Sequence, residues 1–284
     1  MLKIFFNSII RRNVPSKNLF VKKYFLLGNL VFIILCVLFN LLGVLINTMT
    51  NPEITRLKSD QTFNFKCFPE ISCFNHCCQN LQQVLSPYDI IRLKRHFNSD
   101  STTFLKTYTI TDIGPETGLP VVMLKNKSQT DLHCIFVSEN GCLVYPDRPS
   151  TCRYYPIGRL VSKSRETFEK SASYIMIHEP HCKGHEYLCH QNLQQWRNSQ
   201  ELPVFDQTND LMIHLISAKS RAGLNELSDD QRYLIYIGCY DIDAFRQYTE
   251  QQGLFSGQVF PDTLEGDIQW VESAIRWLET MVIK

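Results

Sequence analysis

The sequence lacks the short motifs that identify several large enzyme classes. It contains no Gly-x-Gly-x-x-Gly after a strand pattern, no Walker A loop, no His-Glu-x-x-His and no Gly-x-Ser-x-Gly. The Cys-x₃-Cys-x₂-Cys run of radical S-adenosylmethionine enzymes is also missing. The sequence therefore gives no support to nucleotide-dependent, zinc-protease or serine-hydrolase chemistry. It leaves open whether the protein is an enzyme.

Acidic residues are absent from the first 52 positions, which hold six basic residues. All 28 acidic residues follow, against 23 basic ones, so the remainder has a net charge of −5. A nucleic-acid-binding domain would show a basic face, and we therefore expect no nucleic-acid partner. Repeats and low-complexity tracts are absent as well. With 284 residues and 44% hydrophobic content, the chain can bury the core of one large domain or two small ones.

An uncharged run of 22 residues extends from Phe25 to Ile46. It is long enough to cross a hydrocarbon core of about 30 Å at about 1.5 Å per residue. Because the six basic residues precede it, the positive-inside rule would export the rest of the chain, where cysteines tend to pair. Three expectations follow: a membrane anchor with an external disulfide-bonded domain, an anchor with the domain inside, or translation that begins near Met49. In the third case residues 1–48 are a leader or misassigned coding sequence, and residues 49–284 form a single cytoplasmic domain.

Cysteine, in contrast, is abundant. Four of the 11 cysteines lie within twelve residues, from Cys67 to Cys78. Thiolates are soft ligands for Zn²⁺, Cu(I) and iron-sulfur clusters, so this density predicts a metal site, although the spacing is neither a zinc-finger C-x₂-C nor a ferredoxin pattern. Neighbouring Cys77 and Cys78 point to opposite faces of an extended segment. We therefore expect one to bind this metal and the other to serve a second metal, a resolving role or packing; disulfides and plain buried cysteines are the alternatives.

A second group of cysteines follows. Asn140-Gly141 between two β-rich runs is typical of a hairpin, which would bring Cys134 and Cys142 together. Cys152 lies between Arg148, at an Arg-Pro turn, and Arg153. Guanidinium groups beside an anionic thiolate cluster would offset its charge and donate hydrogen bonds to sulfur. The alternative is that both arginines are surface or ion-paired residues.

A histidine-rich stretch, His178 to His190, supplies the last candidates. Cys182 is the best candidate to complete the site, because the nearby Gly184 lets the backbone approach closely. If the centre is catalytic, His181 or His185 would carry the proton. Cys239, in an apolar run, is expected to be a small core residue.

Helical patterns dominate the rest of the chain. Ser86, Pro87 and Asp89 predict a helix start, a second helix is expected from Ser101, and 121–124 is expected to be a strand. Further helices are predicted at 210–219, 228–237, 241–251 and 263–283. The expected fold class is α+β: a small irregular cysteine-rich metal-binding core with a β-hairpin, buttressed by C-terminal helices.

These motifs together resemble the YkgJ-like cysteine-cluster family, a zinc- or iron-chelating domain of the CxxCxxCC type, over roughly residues 53 to 190. The matching residues are Phe65, Cys67, Cys73, Phe74, Cys77, Cys78, Pro87-Tyr88-Asp89-Ile90, Cys134, Gly141-Cys142, Val144-Tyr145, Arg148-Pro149, Cys152-Arg153 and Tyr155-Pro156. The spacing here, C-x₅-C-x₃-CC, is longer than that of the family's name. The resemblance implies a metal or iron-sulfur site. Some relatives are associated with flagellin lysine N-methylation, which supplies an enzyme alternative.

The expected function is therefore a zinc- or iron-chelating protein, with zinc, iron or a [4Fe-4S] cluster as the cofactor. The predicted metal ligands are Cys67, Cys73, Cys77, Cys78, Cys134, Cys142, Cys152 and Cys182, and the predicted cofactor-binding arginines are Arg148 and Arg153. Eight thiols exceed the needs of one four-ligand site, so a single site with spare cysteines and a two-metal cluster both stay open. A redox or lysine N-methyltransferase-like enzyme and an exported disulfide-bonded domain are the alternatives. The sequence identifies no protein partner or substrate.

Overall fold

The computed structural model describes residues 4–6, 10–11, 52–163 and 169–281. The uncharged run from Phe25 to Ile46 and the proposed start at Met49 lie outside the described residues. Within the described part, no helix combines the length and the apolar character needed to cross a membrane.

Thirteen strands form small antiparallel sheets in the described part of the chain. They are β1 (Ile4–Phe6), β2 (Ile10–Arg11), β3 (Glu53–Leu57), β4 (Thr62–Asn64), β5 (Leu81–Gln82), β6 (Val84–Leu85), β7 (Thr109–Ile113), β8 (Pro120–Leu124), β9 (Val137–Ser138), β10 (Gly141–Cys142), β11 (Ile157–Lys163), β12 (Lys170–His178) and β13 (His190–Asn192). The largest sheet has the order β1-β11-β12-β3, and a second has the order β6-β8-β7. The pairs β9/β10, β4/β13 and β2/β5 complete the set.

Eight helices accompany these strands in the same described segments. They are α1 (Pro87–His96), α2 (Ser101–Tyr108), α3 (Ser150–Tyr154), α4 (Leu193–Ser199), α5 (Leu202–Arg221), α6 (Asp229–Cys239), α7 (Ile242–Gln251) and α8 (Leu264–Met281). Helix α1 begins with a capping box: the Ser86 amide donates to the Asp89 carboxylate, and the Asp89 amide donates to the Ser86 hydroxyl. Pro87 at the first helical position adds a fixed φ where no amide hydrogen is needed.

Two hydrophobic clusters hold these elements together. The larger one joins α1, α2 and β8 to the C-terminal helices, with Leu93, Phe104 and Ile275 almost fully buried. The smaller one contains Phe65 and Trp196, which pack edge to face with ring centroids 5.5 Å apart. The cysteine-rich segments lie between these two clusters, because side chains from both line the same cavity.

The α+β fold class is confirmed, as are the helix starts near Pro87 and Ser101. The expected hairpin is present, but its turn is shifted by one residue. Gly141 pairs with Ser138, so Glu139 and Asn140 form the turn. Cys134 lies before the first hairpin strand, and the partner of Cys142 is Val137. The long strands β11 and β12 and the short helix α4 were not expected from the sequence.

Candidate metal centre

A cavity of about 640 Å³ lies between the two hydrophobic clusters, and cysteine is its dominant reactive side chain. The nine cysteines that line it are Cys67, Cys73, Cys77, Cys78, Cys134, Cys142, Cys152, Cys182 and Cys189. They come from separate parts of the chain: the loop before β5, the hairpin region, α3 and the loop after β12. None of the ten cysteines in the described residues is in a disulfide.

Cys152 shows how these thiols face the cavity. The residue is exposed, yet protein atoms surround the thiol so closely that desolvation raises its pKa well above the ordinary value. Both observations hold because its accessible surface faces the cavity. Cys67 behaves in the same way: it is exposed, and burial, together with the neighbouring thiolates, raises its pKa to about 11.

The first cysteine segment folds as a series of tight turns. A 3₁₀ helix spans His76–Cys78 and follows Asn75, whose φ is 67°. The Asn75 side chain donates to the carbonyl of Ser138 in the hairpin, at 2.9 Å. The Cys134 amide donates to the carbonyl of Cys78, at 2.7 Å. These bonds fix the adjacent cysteines against the hairpin region.

The loop after β12 brings Cys182 next to the first segment. The amide of Lys183 donates to Sγ of Cys73 at 3.2 Å, and the amide of Lys66 donates to the carbonyl of Gly184 at 3.0 Å. Only glycine fits at position 184 without a steric clash, because a Cβ there would lie 2.5 Å from Cε2 of Phe65. The close approach observed at Gly184 is to the Phe65 ring; close approach of this backbone to a metal cluster stays a prediction.

Helix α3 presents Cys152 to the cavity, and the buried Asp89 holds the start of that helix. Its carboxylate accepts from the amide of Ser150 at 2.7 Å and from the Ser150 hydroxyl at 3.1 Å. It also accepts from Ser86, at the start of α1. Burial raises the pKa of Asp89, while these donors act in the opposite direction. One side chain thus connects the first helix to the cysteine-bearing helix.

The two predicted arginines have different positions. Arg148 lines the cavity, and its positive charge opposes the rise in the pKa of Cys67 and Cys142 that burial causes. Arg153 has only 2% of its surface exposed, and it donates to the carbonyls of Arg148, Pro146 and Gln200. Its guanidinium also lies 4.7 Å from the ring centroid of Phe205. Direct donation from Arg153 to sulfur, as expected from the sequence, does not match these contacts: Arg153 instead fixes the turn that carries Arg148.

Mutual repulsion among the thiols is the main electrostatic property of the cavity besides desolvation. Burial, together with the thiolates of Cys142 and Cys77, raises the pKa of Cys134 to about 11. The pKa of Cys77 lies well above its ordinary value. The largest cause is a hydrogen bond with Cys78, and the second is burial. So many neighbouring thiols cannot all ionise without a compensating cation. A bound metal cation would supply that compensation.

The donor set fits a thiophilic metal ion, but the thiols stand apart. Within residues 52–163 and 169–281, no three Cys, His, Asp or Glu side chains are close enough to hold one ion. The two sulfurs of Cys77 and Cys78 are 4.0 Å apart, whereas Zn–S bonds of about 2.3 Å give tetrahedral ligands a spacing of about 3.8 Å. Metal binding would therefore draw the other sulfurs towards the middle of the cavity.

The structure brings all eight predicted cysteine ligands to this one cavity; that they bind metal stays a prediction. Cys189, a weaker ligand candidate than Cys182 in the same histidine-rich stretch, lies there too. Of the two predicted proton carriers, His181 lines the cavity, while the His185 ring packs against Phe65 and His178. Cys239 is fully buried in the larger cluster, as expected.

Comparison with known proteins supports the metal interpretation. Residues 66–183 match a family model described as "CxxCxxCC: Putative zinc- or iron-chelating domain". This match confirms the resemblance identified from the cysteine motifs, and it includes all eight predicted ligands. No curated protein and no solved structure shows a significant match to the chain.

Proposed function

Because residues 66–183 match the zinc- or iron-chelating domain of the CxxCxxCC type, we propose that this protein binds zinc or iron through the thiolates of its cavity. The observation that carries the proposal is the convergence of nine cysteines from distant segments on one cavity. Thiolate is the ligand that zinc and iron-sulfur centres share. The position of Arg148 at the cavity supports the same conclusion, because a cluster of thiolates carries excess negative charge.

The first consequence of metal binding would be structural. The ligands lie between two hydrophobic clusters, so a metal would link the hairpin region, α3 and the loop after β12. Because a preformed site rarely exists in an unfolded chain, binding free energy is also folding free energy. For structural zinc in small domains this amounts to ~10 kcal/mol or more.

An iron-sulfur cluster is a more specific form of this proposal, in which the bound metal is iron. Its absorption near 400 nm would distinguish it from zinc. The donor set suits both, since each is held by four thiolates. Thiolate ligation requires reduced cysteines, and we therefore propose a reducing compartment such as the cytoplasm for this domain. The methyltransferase-like and disulfide-bonded alternatives receive no support from the family match.

The test is to purify the whole chain without oxygen and to measure its zinc, iron and acid-labile sulfide content together with its absorption spectrum. We expect zinc or iron in the wild-type protein and a large loss of metal in Cys73→Ser. The matched control is Cys239→Ala, because Cys239 is buried in the larger hydrophobic cluster, away from the cavity. That variant should keep its full metal content.

Full metal content in Cys73→Ser would show that the first cysteine segment is not the site. Absence of any metal, in protein that also fails to take up zinc or ferrous iron after anaerobic reduction, would contradict the proposed function itself. Pairing of the cavity cysteines in that protein, measured by thiol titration, would leave the disulfide-bonded alternative.

A further inference from the structure

Helix α3 carries Cys152 into the cavity, although it is too short to be stable by itself. It has only five residues, Ser150–Tyr154, and isolated helices of this length are unstable in water. Its first amides need acceptors, but Pro149, which precedes the helix, offers no side-chain cap. Contacts from other parts of the chain must therefore hold this helix and, with it, the direction of the Cys152 side chain.

Asp89 supplies the acceptor that the start of α3 lacks. One carboxylate oxygen accepts from the Ser150 amide at 2.7 Å, and the other accepts from the Ser150 hydroxyl at 3.1 Å. The second oxygen also accepts from the amide and the hydroxyl of Ser86, both at 2.8 Å. Asp89 has none of its surface exposed, and these hydrogen-bond donors are all neutral groups.

Comparison with other helix starts in this chain shows that the start of α1 alone does not account for a buried carboxylate. Helices α4 and α6 also begin with capping boxes, in which the third helical residue is Gln195 or Gln231. Both glutamines are neutral, and their capping hydrogen bonds are exposed. Burying a carboxylate without a counter-charge costs free energy that a glutamine at an exposed helix start does not cost. The contact with Ser150 distinguishes Asp89 from these glutamines, so its burial points to a role at α3.

The other end of α3 is held as well. The Tyr154 hydroxyl donates to the carboxylate of Asp206, and Nε1 of Trp196 donates to the carbonyl of Tyr154 at 3.1 Å. Cys152 lies between the two bonded ends of the helix and lines the cavity. Cys67, in contrast, lies in a loop outside any helix or strand. The position of Cys152 is therefore set before any metal binds.

We propose that Asp89 is a positioning residue for the metal centre, which fixes helix α3 so that Cys152 is the stationary ligand towards which the other thiolates move. A ligand that is already in place loses less conformational freedom on binding than a mobile one. Asp89 would thus increase metal affinity through the helix, without being a ligand itself. This inference rests on the proposed function and adds which ligand is fixed in advance and which side chain fixes it.

The experiment titrates the reduced whole chain anaerobically with Co²⁺. Its charge-transfer absorption reports the number of bound thiolates, and competition with a chromophoric chelator gives the affinity. Asp89→Asn cannot accept from the amides of both Ser86 and Ser150, because one of its two polar atoms is a donor. We expect the Co²⁺ affinity to fall roughly 10- to 100-fold, and the charge-transfer intensity at saturation to fall to that of Cys152→Ser. Adding Asp89→Asn to Cys152→Ser should cause no further loss, since both changes act on the same ligand.

Two controls separate this role from general stability and from charge. Ser228→Ala breaks the capping box of α6, so it should lower stability without altering the Co²⁺ affinity or spectrum. Asp89 is also near enough to Cys152 for its negative charge to oppose a thiolate there. If Asp89 acted only by its charge, Asp89→Asn would therefore raise the affinity instead of lowering it.

Circular dichroism will show whether Asp89→Asn is folded. If it is not, Ser150→Ala takes its place: it removes only the hydroxyl contact and should lower the affinity roughly 2- to 10-fold, the equivalent of one hydrogen bond. Unchanged or higher affinity in the folded variant, a further loss when Asp89→Asn is added to Cys152→Ser, or a wild-type spectrum in Cys152→Ser would overturn the inference. Such results would leave the proposed function intact, whereas a wild-type chain that binds no Co²⁺, zinc or iron would contradict that function.

Discussion

The backbone amide of Lys183 donates a hydrogen bond to Sγ of Cys73, with a nitrogen-to-sulfur distance of 3.2 Å across 110 positions of the sequence. A hydrogen bond to a ligating sulfur reduces its excess negative charge and fixes its orientation. The contact also joins the first cysteine segment to the loop of Cys182. Its removal should therefore affect metal binding directly.

Lys183→Pro removes this donor, because proline has no backbone N–H, and the φ of Lys183, −93°, is not far from the value that proline adopts. We expect metal retention to weaken by roughly 10- to 100-fold, as is typical when a group that supports a metal ligand is lost. The measurement is competition with a chromophoric chelator. Lys183→Ala is the matched control: it keeps the amide and, like the proline variant, removes the charged side chain with its exposed ion pair to Glu186. Equal losses in both variants would show that the N–H···S bond is unimportant.

Gly184→Ala should destabilise the loop that carries Cys182, because the new methyl group would overlap the ring of Phe65. Phe65 is 3% exposed and cannot move aside easily. Overpacking of this kind costs about 1–3 kcal/mol of unfolding free energy, measured by urea denaturation. Adding Phe65→Leu should recover part of that loss, since the two changes affect the same space. Strictly additive losses would contradict the steric explanation.

Arg148 and Arg153 should respond differently to replacement by alanine. Arg148→Ala should weaken metal retention roughly 10- to 100-fold with little change in the metal-free protein, and Arg148→Lys should restore part of the affinity through its charge. Arg153→Ala should instead destabilise the metal-free protein by about 2 kcal/mol, because partly buried carbonyls lose their donors. Chelator competition and urea denaturation separate the two effects. The prediction would be contradicted if Arg153→Ala lowered metal affinity without changing the stability of the metal-free protein.

Metal uptake should release protons. In the metal-free protein, burial raises the pKa of Cys67 and of Cys134 to about 11, so both thiols are protonated at pH 8. Coordination requires thiolates, and each ligand then loses its proton to the solvent. We therefore expect release of at least about two protons per chain and an apparent affinity that rises with pH up to about 11. Calorimetry in buffers of different ionisation enthalpy measures this number, and uptake without proton release would exclude these two thiols as ligands.

The helix starts were predictable because capping is a local property. Ser86, Pro87 and Asp89 satisfy the first amides of α1 without help from distant residues. The strands β11 and β12 were not predicted, since their hydrophobic residues follow no clean alternation and their pairing is long-range. The hairpin turn was shifted by one residue because Gly141, with φ 110°, occupies a strand position rather than the turn.

The cysteine site was largely visible in the sequence, because thiol density is a strong signal that needs no structural context. The two arginines were not distinguishable in that way. Arg148 and Arg153 flank Cys152 in the sequence, but residues adjacent on a helix point in directions about 100° apart. Helix α3 therefore directs Cys152 to the cavity and Arg153 into the surrounding carbonyls. Cys189 ranked below Cys182 as a ligand candidate because no glycine lies next to it in the sequence, yet the structure brings both cysteines to the cavity.

The hydrogen bond across 110 positions also bears on how the chain assembles. Closing a flexible loop of that length costs roughly 4 kcal/mol of chain entropy. During synthesis, Cys67 to Cys78 leave the ribosome well before Cys182 does. The early thiols would thus emerge without their partners, exposed to oxidants and to competing metals. A ribosome-bound chain that stops before the loop of Cys182 would be the form most vulnerable to incorrect pairing, and completion of that loop would end this vulnerability.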